Sequence, residues 1–209
     1  MKNNQLRKLT LVAPLAAAVT CVGSADAAVL TFDDHPNAVQ NTYGDIGNYA
    51  GFTFSSTLNW IDTVGSPWNH GAKSGDFTIL NRWSGVGTIT EASNRDFVFD
   101  GIWAKKWATS PESGGNDSLF GTLSGYNNGS LVWTTLTGLN GSFKFFGPQA
   151  GAIDELRLGF GNHFLADNLS LNVVNDSSNV SSIPEPGSLL GLAMVLGSGA
   201  LFRGRRRAL

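Results

Sequence analysis

One cysteine, Cys21, occurs in 209 residues, and it sits inside an N-terminal apolar run. The body of the chain therefore has no disulfide and no thiol nucleophile, and its stability must come from packing or bound ions. Charge is sparse, at 14% of residues. The three histidines, His35, His70 and His163, show no metal-ligand spacing, and neither H-x-x-x-H nor H-E-x-x-H occurs. A G-x-S-x-G elbow is missing as well. Gly85-Val86-Gly87 has no helical pattern after it, so it is turn material rather than a phosphate loop. Between the termini no stretch keeps a 3.6-residue apolar period for three turns, which excludes a helical body. Carboxylates are plentiful and could supply acid–base work, such as Asp154 or Glu155 with a second acid. Asp154-Glu155-Leu156-Arg157-Leu158 reads more simply as a strand with Glu155 and Arg157 in solvent.

What the chain does have is aromatic side chains set among glycines. All six tryptophans (Trp60, Trp68, Trp83, Trp103, Trp107 and Trp133), the three tyrosines and all but one phenylalanine lie between Ala28 and Ser182. Short β-branched or aromatic segments recur between Gly, Asn, Asp and Ser clusters. They are 29–33, 51–55, 77–81, 96–100, 131–137, 142–146, 154–160 and 165–174. Tyr126-Asn127-Asn128-Gly129 between two apolar runs predicts a hairpin turn, with Gly129 supplying positive φ. Many short strands without intervening helices predict an all-β fold, a single antiparallel β-sandwich of jelly-roll type. Trp103 and Trp133 fall in apolar runs and are expected in its core. Residues 28–182 carry 7 basic and 14 acidic side chains, a net charge of about −7. That argues against nucleic acid and anionic membrane surfaces as partners and suits divalent cations.

The two ends read differently. Lys2, Arg7 and Lys8 precede the apolar run Leu9–Val22, and Ala25-Asp26-Ala27 has the small-x-small form of a signal-peptidase site. Residues 1–27 are read as a secretory signal peptide, cut after Ala27. Val19-Thr20 ahead of Cys21 lacks the residues of a lipid-attachment site. Residues 28–174 form the sandwich domain and 175–182, NDSSNVSS, a polar linker. Gly187–Phe202 is an uncharged stretch of 16 residues. As a helix it spans ~24 Å, somewhat less than the ~30 Å hydrocarbon core. Arg203, Arg205, Arg206 and Arg207 follow and assign that end to the cytoplasmic side, leaving the domain outside. Pro184 and Pro186 bracket Glu185 in an extended stretch that cannot join the helix.

The order of these parts over 183–209, a Pro-Glu-Pro tripeptide, an apolar helix and an arginine-rich end, resembles the PEP-CTERM sorting signal of Gram-negative bacteria that make exopolysaccharide. The resemblance implies that Pro184, Glu185 and Pro186 are recognition residues for exosortase, a membrane-embedded protease-transpeptidase that removes the tail. It further implies transient insertion in the inner membrane, signal peptidase and exosortase as processing partners, and the cell surface or extracellular matrix as destination. An ordinary retained C-terminal anchor is the alternative.

Strand parity marks one possible site. Counting by twos places Asp167 on the face of Leu165, Leu169, Leu171 and Val173, and Asp34 on the face of Leu30 and Phe32. A carboxylate on an apolar face needs a partner. First and last strands commonly lie side by side in sandwiches. Asp33, Asp34, Asp167 and Asn168 could therefore share a structural calcium, which takes about six to eight oxygens. The other reading is that the strands end early and both aspartates cap loops in water. Leu30-Thr31-Phe32-Asp33-Asp34 and Phe164-Leu165-Ala166-Asp167-Asn168-Leu169-Ser170-Leu171 resemble the outer strands of galactose-binding-like and carbohydrate-binding jelly rolls, which implies such a calcium. Trp68, in a loop beside Asn69, is the candidate for stacking on a sugar. The expectation is a non-enzymatic structural or glycan-binding component of exopolysaccharide or biofilm. The alternative is a secreted carbohydrate-active hydrolase.

Overall fold

The computed structural model describes residues 28–65 and 67–174. The expected leader, linker and sorting segment, with Pro184, Glu185, Pro186, Arg203, Arg205, Arg206 and Arg207, lie outside the described residues. Thirteen strands and no helix occur among those described. The first six are β1 (Ala28–Leu30), β2 (Tyr43–Asp45), β3 (Asn48–Tyr49), β4 (Phe52–Phe54), β5 (Leu58–Asp62) and β6 (Phe77–Asn81). Then come β7 (Gly87–Glu91), β8 (Phe97–Lys106), β9 (Leu119–Asn127) and β10 (Ser130–Leu139). The last are β11 (Lys144–Phe146), β12 (Glu155–Gly159) and β13 (Phe164–Val173).

Two antiparallel sheets result. Six strands run β10-β9-β12-β7-β4-β3, and seven make the other sheet, β11-β8-β13-β6-β5-β2 with β1 also on β13. The apolar positions of both sheets meet in one core, where Phe32, Phe97, Phe99, Phe160 and Phe164 are fully buried. Each such ring contributes roughly 2–3 kcal/mol of burial. β7 shows the alternation expected of a half-buried strand. β5 and β6 are buried at every position, because the seven-stranded sheet is covered outside as well. There Ile61, Leu80, Phe143 and Leu165 form a second cluster, with Trp68, Trp103 and Trp107 packed on it. Trp133 joins the main core as expected, whereas Trp103 belongs to this outer cluster.

The hairpin turn is where the sequence puts it. β9 and β10 pair Asn127 with Ser130, and both turn residues are left-handed, Asn128 at φ 49° and Gly129 at φ 73°. That is the two-residue turn whose twist matches the strands.

Both parity arguments need correction. β13 carries a bulge between Asp167 and Ser170, where Asn168 adopts φ 49°. The extra residue shifts the count by one. Phe164 and Ala166 before it, and Leu169 and Leu171 after it, face the main core. Leu165 faces the outer cluster, and Asp167 shares its parity. Asp34 does not follow Leu30 and Phe32 either, because β1 ends at Leu30 and Phe32 turns the chain at φ 68°. The expected neighbourhood of first and last strands is correct: Ala28, Val29 and Leu30 pair with Leu171, Ser170 and Leu169.

Candidate functional site

Three places on the seven-stranded sheet gather side chains with chemistry. At one margin β2 pairs Tyr43 with Ile61, so Tyr43 shares the outer face. Trp68, from the loop after β5, lies half-buried on the outer cluster with its ring edge-on to Tyr43 at 5.5 Å. Arg82 continues the parity of Leu80 just past the end of β6. Its guanidinium lies 4.8 Å from the ring centre of Tyr43 and 4.6 Å from that of Trp83. Trp83 is 66% exposed and Tyr43 36%. Trp68, Tyr43, Arg82 and Trp83 thus make a continuous strip of rings and one cation open to solvent. A flat, fixed ring in water is the surface on which the C–H face of a ligand packs. Trp68 was the sequence candidate, and it is here the supporting member. Trp83 was missed, although its place at a strand exit before Ser84-Gly85 is a signal of exposure.

The second place is a seam. β8 runs along one whole side of β13, so β6, pairing Leu165 and Ala166, and β1, pairing Leu169 to Leu171, share the other side end to end. Where they abut, several backbone N–H groups have no strand partner, and carboxylates take them. Asp33 accepts from Asp76 N at 2.8 Å and Phe77 N at 3.1 Å. Asp167 accepts from Lys73 N at 2.8 Å, Ser74 N at 3.0 Å and Asn168 N at 2.7 Å. The Asn168 side-chain oxygen Oδ1 accepts from the Ser74 hydroxyl. Gly75, at φ 57°, runs so close to Asp33 that a Cβ would lie 2.1 Å from its carboxylate oxygens. Asp167 is fully buried, and that burial pushes its carboxyl up to about 7, with the nearby Asp33 charge adding to the effect against three backbone donors.

Asp33, Asp167 and Asn168 are therefore brought together as expected, but Asp34 is not. It accepts the Tyr49 hydroxyl instead, and burial together with this bond raises the Tyr49 phenol. No three His, Cys, Asp or Glu side chains converge as a metal cage among the described residues. A cation here would draw on Asp33, Asp167, the Asn168 amide and backbone carbonyls.

Beside the seam, Lys105 is fully buried. Its ammonium donates to the carbonyls of His70 at 2.9 Å, Ser110 at 3.0 Å and Thr109 at 3.4 Å. It thereby ties two loops over the outer cluster. Burial holds Lys105 below the usual lysine range, and burial and then the Lys105 charge hold His70 below the usual histidine range.

On the other sheet, Asp96, Asp154 and Glu155 line an open cleft of about 350 Å³ with Thr90, Asn94, Asn128 and Gly129. Each carboxylate there is already engaged. Asp96 accepts from Asn127 at 2.9 Å, Asp154 from the Asn128 amide at 2.7 Å, and Glu155 pairs with Arg157.

No family model and no curated protein matches the chain. Among solved structures it is similar to an arabinose-bound α-L-arabinofuranosidase, at TM-score 0.35 and 13% identity over 59% of this chain and 23% of that one. A carbohydrate-binding module of family 61 in complex with β-1,4-galactotriose matches at TM-score 0.33 and 12% identity, over 61% of this chain and 92% of the module. The C-terminal family 22 carbohydrate-binding module of a Clostridium thermocellum protein matches at 0.34 and 11%, over 70% and 91%. The chain spans less than a quarter of the arabinofuranosidase. At these values neither a site nor a ligand passes from those proteins to this one.

Proposed function

We propose that the chain is an exported, PEP-CTERM-sorted component of the cell envelope or extracellular matrix, whose jelly-roll-like sandwich binds polysaccharide without cleaving it. The observation that carries the binding role is the exposed strip of Trp83, Arg82, Tyr43 and Trp68. Sugar rings present C–H groups to such surfaces and hydroxyls to the polar groups beside them. Signal peptidase and exosortase are its processing partners, the inner membrane its transit compartment and exopolysaccharide its ligand. Calcium held at the Asp33–Asp167–Asn168 seam is a structural part of this reading.

The binding test uses full-length protein in mild detergent, titrated against a panel of oligosaccharides while tryptophan fluorescence is followed. Trp83→Ala is expected to weaken binding at least tenfold and to leave the unfolding temperature within about 2 °C, since a largely exposed ring contributes little to the fold. Equal binding by the variant removes the strip from the reading.

A carbohydrate-active hydrolase is the competing reading, and the open cleft of Asp96, Asp154 and Glu155 is the material considered for it. Glycoside hydrolysis needs one protonated acid beside one carboxylate. All three side chains here are committed to amide or guanidinium donors. Release of reducing ends from any polymer in the panel would decide for hydrolysis.

For the sorting reading, mass spectrometry of protein recovered from the cell surface is expected to show a C-terminus upstream of Gly187. An intact Leu209 in that fraction means a retained anchor.

A further inference from the structure

Seven basic side chains lie among the described residues, and their partners differ. Arg95, Lys144 and Arg157 form ion pairs with Glu91, Asp117 and Glu155. Lys105 is spent on three loop carbonyls, and Lys106 donates to the Ser118 hydroxyl at 3.2 Å. Arg82 and Lys73 remain. Each stands over aromatic rings on the outer side of the seven-stranded sheet, Arg82 over Tyr43 and Trp83, and Lys73 at 3.9 Å over Trp103. Neither has a carboxylate within ion-pair distance among the described residues. With 13 acidic against 7 basic side chains in residues 28–174, a partly exposed arginine has many acids to pair with. Here that place is taken by rings.

Its free N–H donors decide what Arg82 can still bind. The Arg82 guanidinium, set over the Tyr43 and Trp83 rings, carries its N–H donors along its own planar edge, and no described carboxylate pairs with them. A carboxylate meets that edge with two parallel hydrogen bonds. Trp83 beside it is 66% exposed, leaving ring surface for a ligand's apolar face. One ligand class carries both features on a single unit: a pyranose ring bearing a carboxylate. From this juxtaposition we infer that the strip recognises a uronate-containing polysaccharide, Arg82 taking the carboxylate and Trp83 the ring. Lys73 over Trp103 repeats the pairing of cation and ring on the same face, and it supplies a second position for a polymer with a charge on every unit. The net charge of residues 28–182, about −7 from 7 basic and 14 acidic residues, repels such a polymer elsewhere and confines it to this face.

The inference rests on the glycan-binding reading and names its substrate class. Its test titrates the full-length protein with oligogalacturonate, oligoglucuronate and oligomannuronate. Each is paired with the same oligosaccharide after its carboxyls have been reduced to primary alcohols. At least one uronate is expected to bind ten times or more tightly than its reduced counterpart, and to weaken as salt rises from 50 to about 300 mM. Arg82→Gln is expected to abolish that preference, binding both forms as the wild type binds the reduced one. Arg82→Lys, which keeps the charge and loses the two-pronged edge, is expected to fall between. Equal affinity of the wild type for uronate and reduced forms overturns the inference and leaves a neutral-glycan site standing. An unchanged preference in Arg82→Gln overturns it as well. No binding of either form, with none to neutral oligosaccharides, removes the inference together with the glycan-binding reading beneath it.

Discussion

With calcium chelated, Asp167→Asn is expected to gain on the wild type steadily as pH rises from about 4 to about 7. The cause is the burial of a carboxyl that in the folded chain titrates at about 7 instead of 3.8. A group whose folded pKa is raised contributes stability that is complete below its unfolded value and lost as pH climbs through the folded one. Across that window the loss is at most about 1.4 kcal/mol per pH unit. The amide cannot ionise and carries no such slope, although it gives up one acceptor of backbone N–H groups, a fixed cost of ~1–3 kcal/mol. Urea unfolding of both proteins at pH 4.5 and 7.5 reads the difference, and the gap between them should shift by roughly 2–4 kcal/mol. Carboxylates such as Asp62 and Glu91 slope the other way. Burial opposes the shift at Asp62, but the Asn41, Gly65 and Val64 amides hold it low, and the Arg95 guanidinium does so for Glu91. They are common to both proteins and cancel. Adding millimolar calcium at pH 7.5 should then raise the wild type's unfolding temperature and leave Asp167→Asn where it was. A gap that ignores pH disposes of the buried acid. A wild type that ignores calcium disposes of the metal, whatever the pH result.

Lys105→Met is expected to cost about 3 kcal/mol or more. Methionine fills similar volume but leaves the His70, Thr109 and Ser110 carbonyls without their donor, and each unsatisfied buried carbonyl costs ~1–3 kcal/mol unless water reaches it. At about 2–4 °C per kcal/mol for a domain of this size, the unfolding temperature should drop by roughly 10 °C. Amide exchange supplies a local signature. His70 N and Gly71 N bond the Thr63 carbonyl at 2.9 and 2.8 Å, and their protection should fall further than that of the β9–β10 hairpin. Lys106→Met is the control. Its ammonium reaches only one hydroxyl, on the surface, and the change should stay within about 0.5 kcal/mol. Equal effects at both positions mean that the buried tripod adds nothing of its own.

How legible these features were in the sequence depended on how local their causes are. Asn128-Gly129 announced its hairpin because turn chemistry resides in the turn residues themselves. Phe77–Asn81 was read with its observed bounds. Leu58–Asp62 was missed because both of its faces are buried, one by a cluster assembled from β13, β6 and a distant Phe143, so no alternation remained to be seen. Asp167 was singled out as a carboxylate in need of partners, which three backbone N–H groups supply, but it was assigned to the wrong face. Parity counting assumes an unbroken pleat, and the left-handed Asn168 breaks it at the next residue. The aromatic strip was out of reach for a related reason. Tyr43 and Arg82 sit far apart along the chain and meet only through the pairing of β2 with β5 and of β5 with β6. Registers of that kind are written in no single segment.

β13, the last strand of the domain, lies in the interior of the seven-stranded sheet, where β8, β6 and β1 all bond to it. A sheet whose keystone is made last cannot close during synthesis. The hairpins can zip early, whereas the contacts that join residues 28 and 171 must wait for nearly the entire domain to leave the ribosome. Until then the seven-stranded sheet lacks the strand to which β8, β6 and β1 all bond.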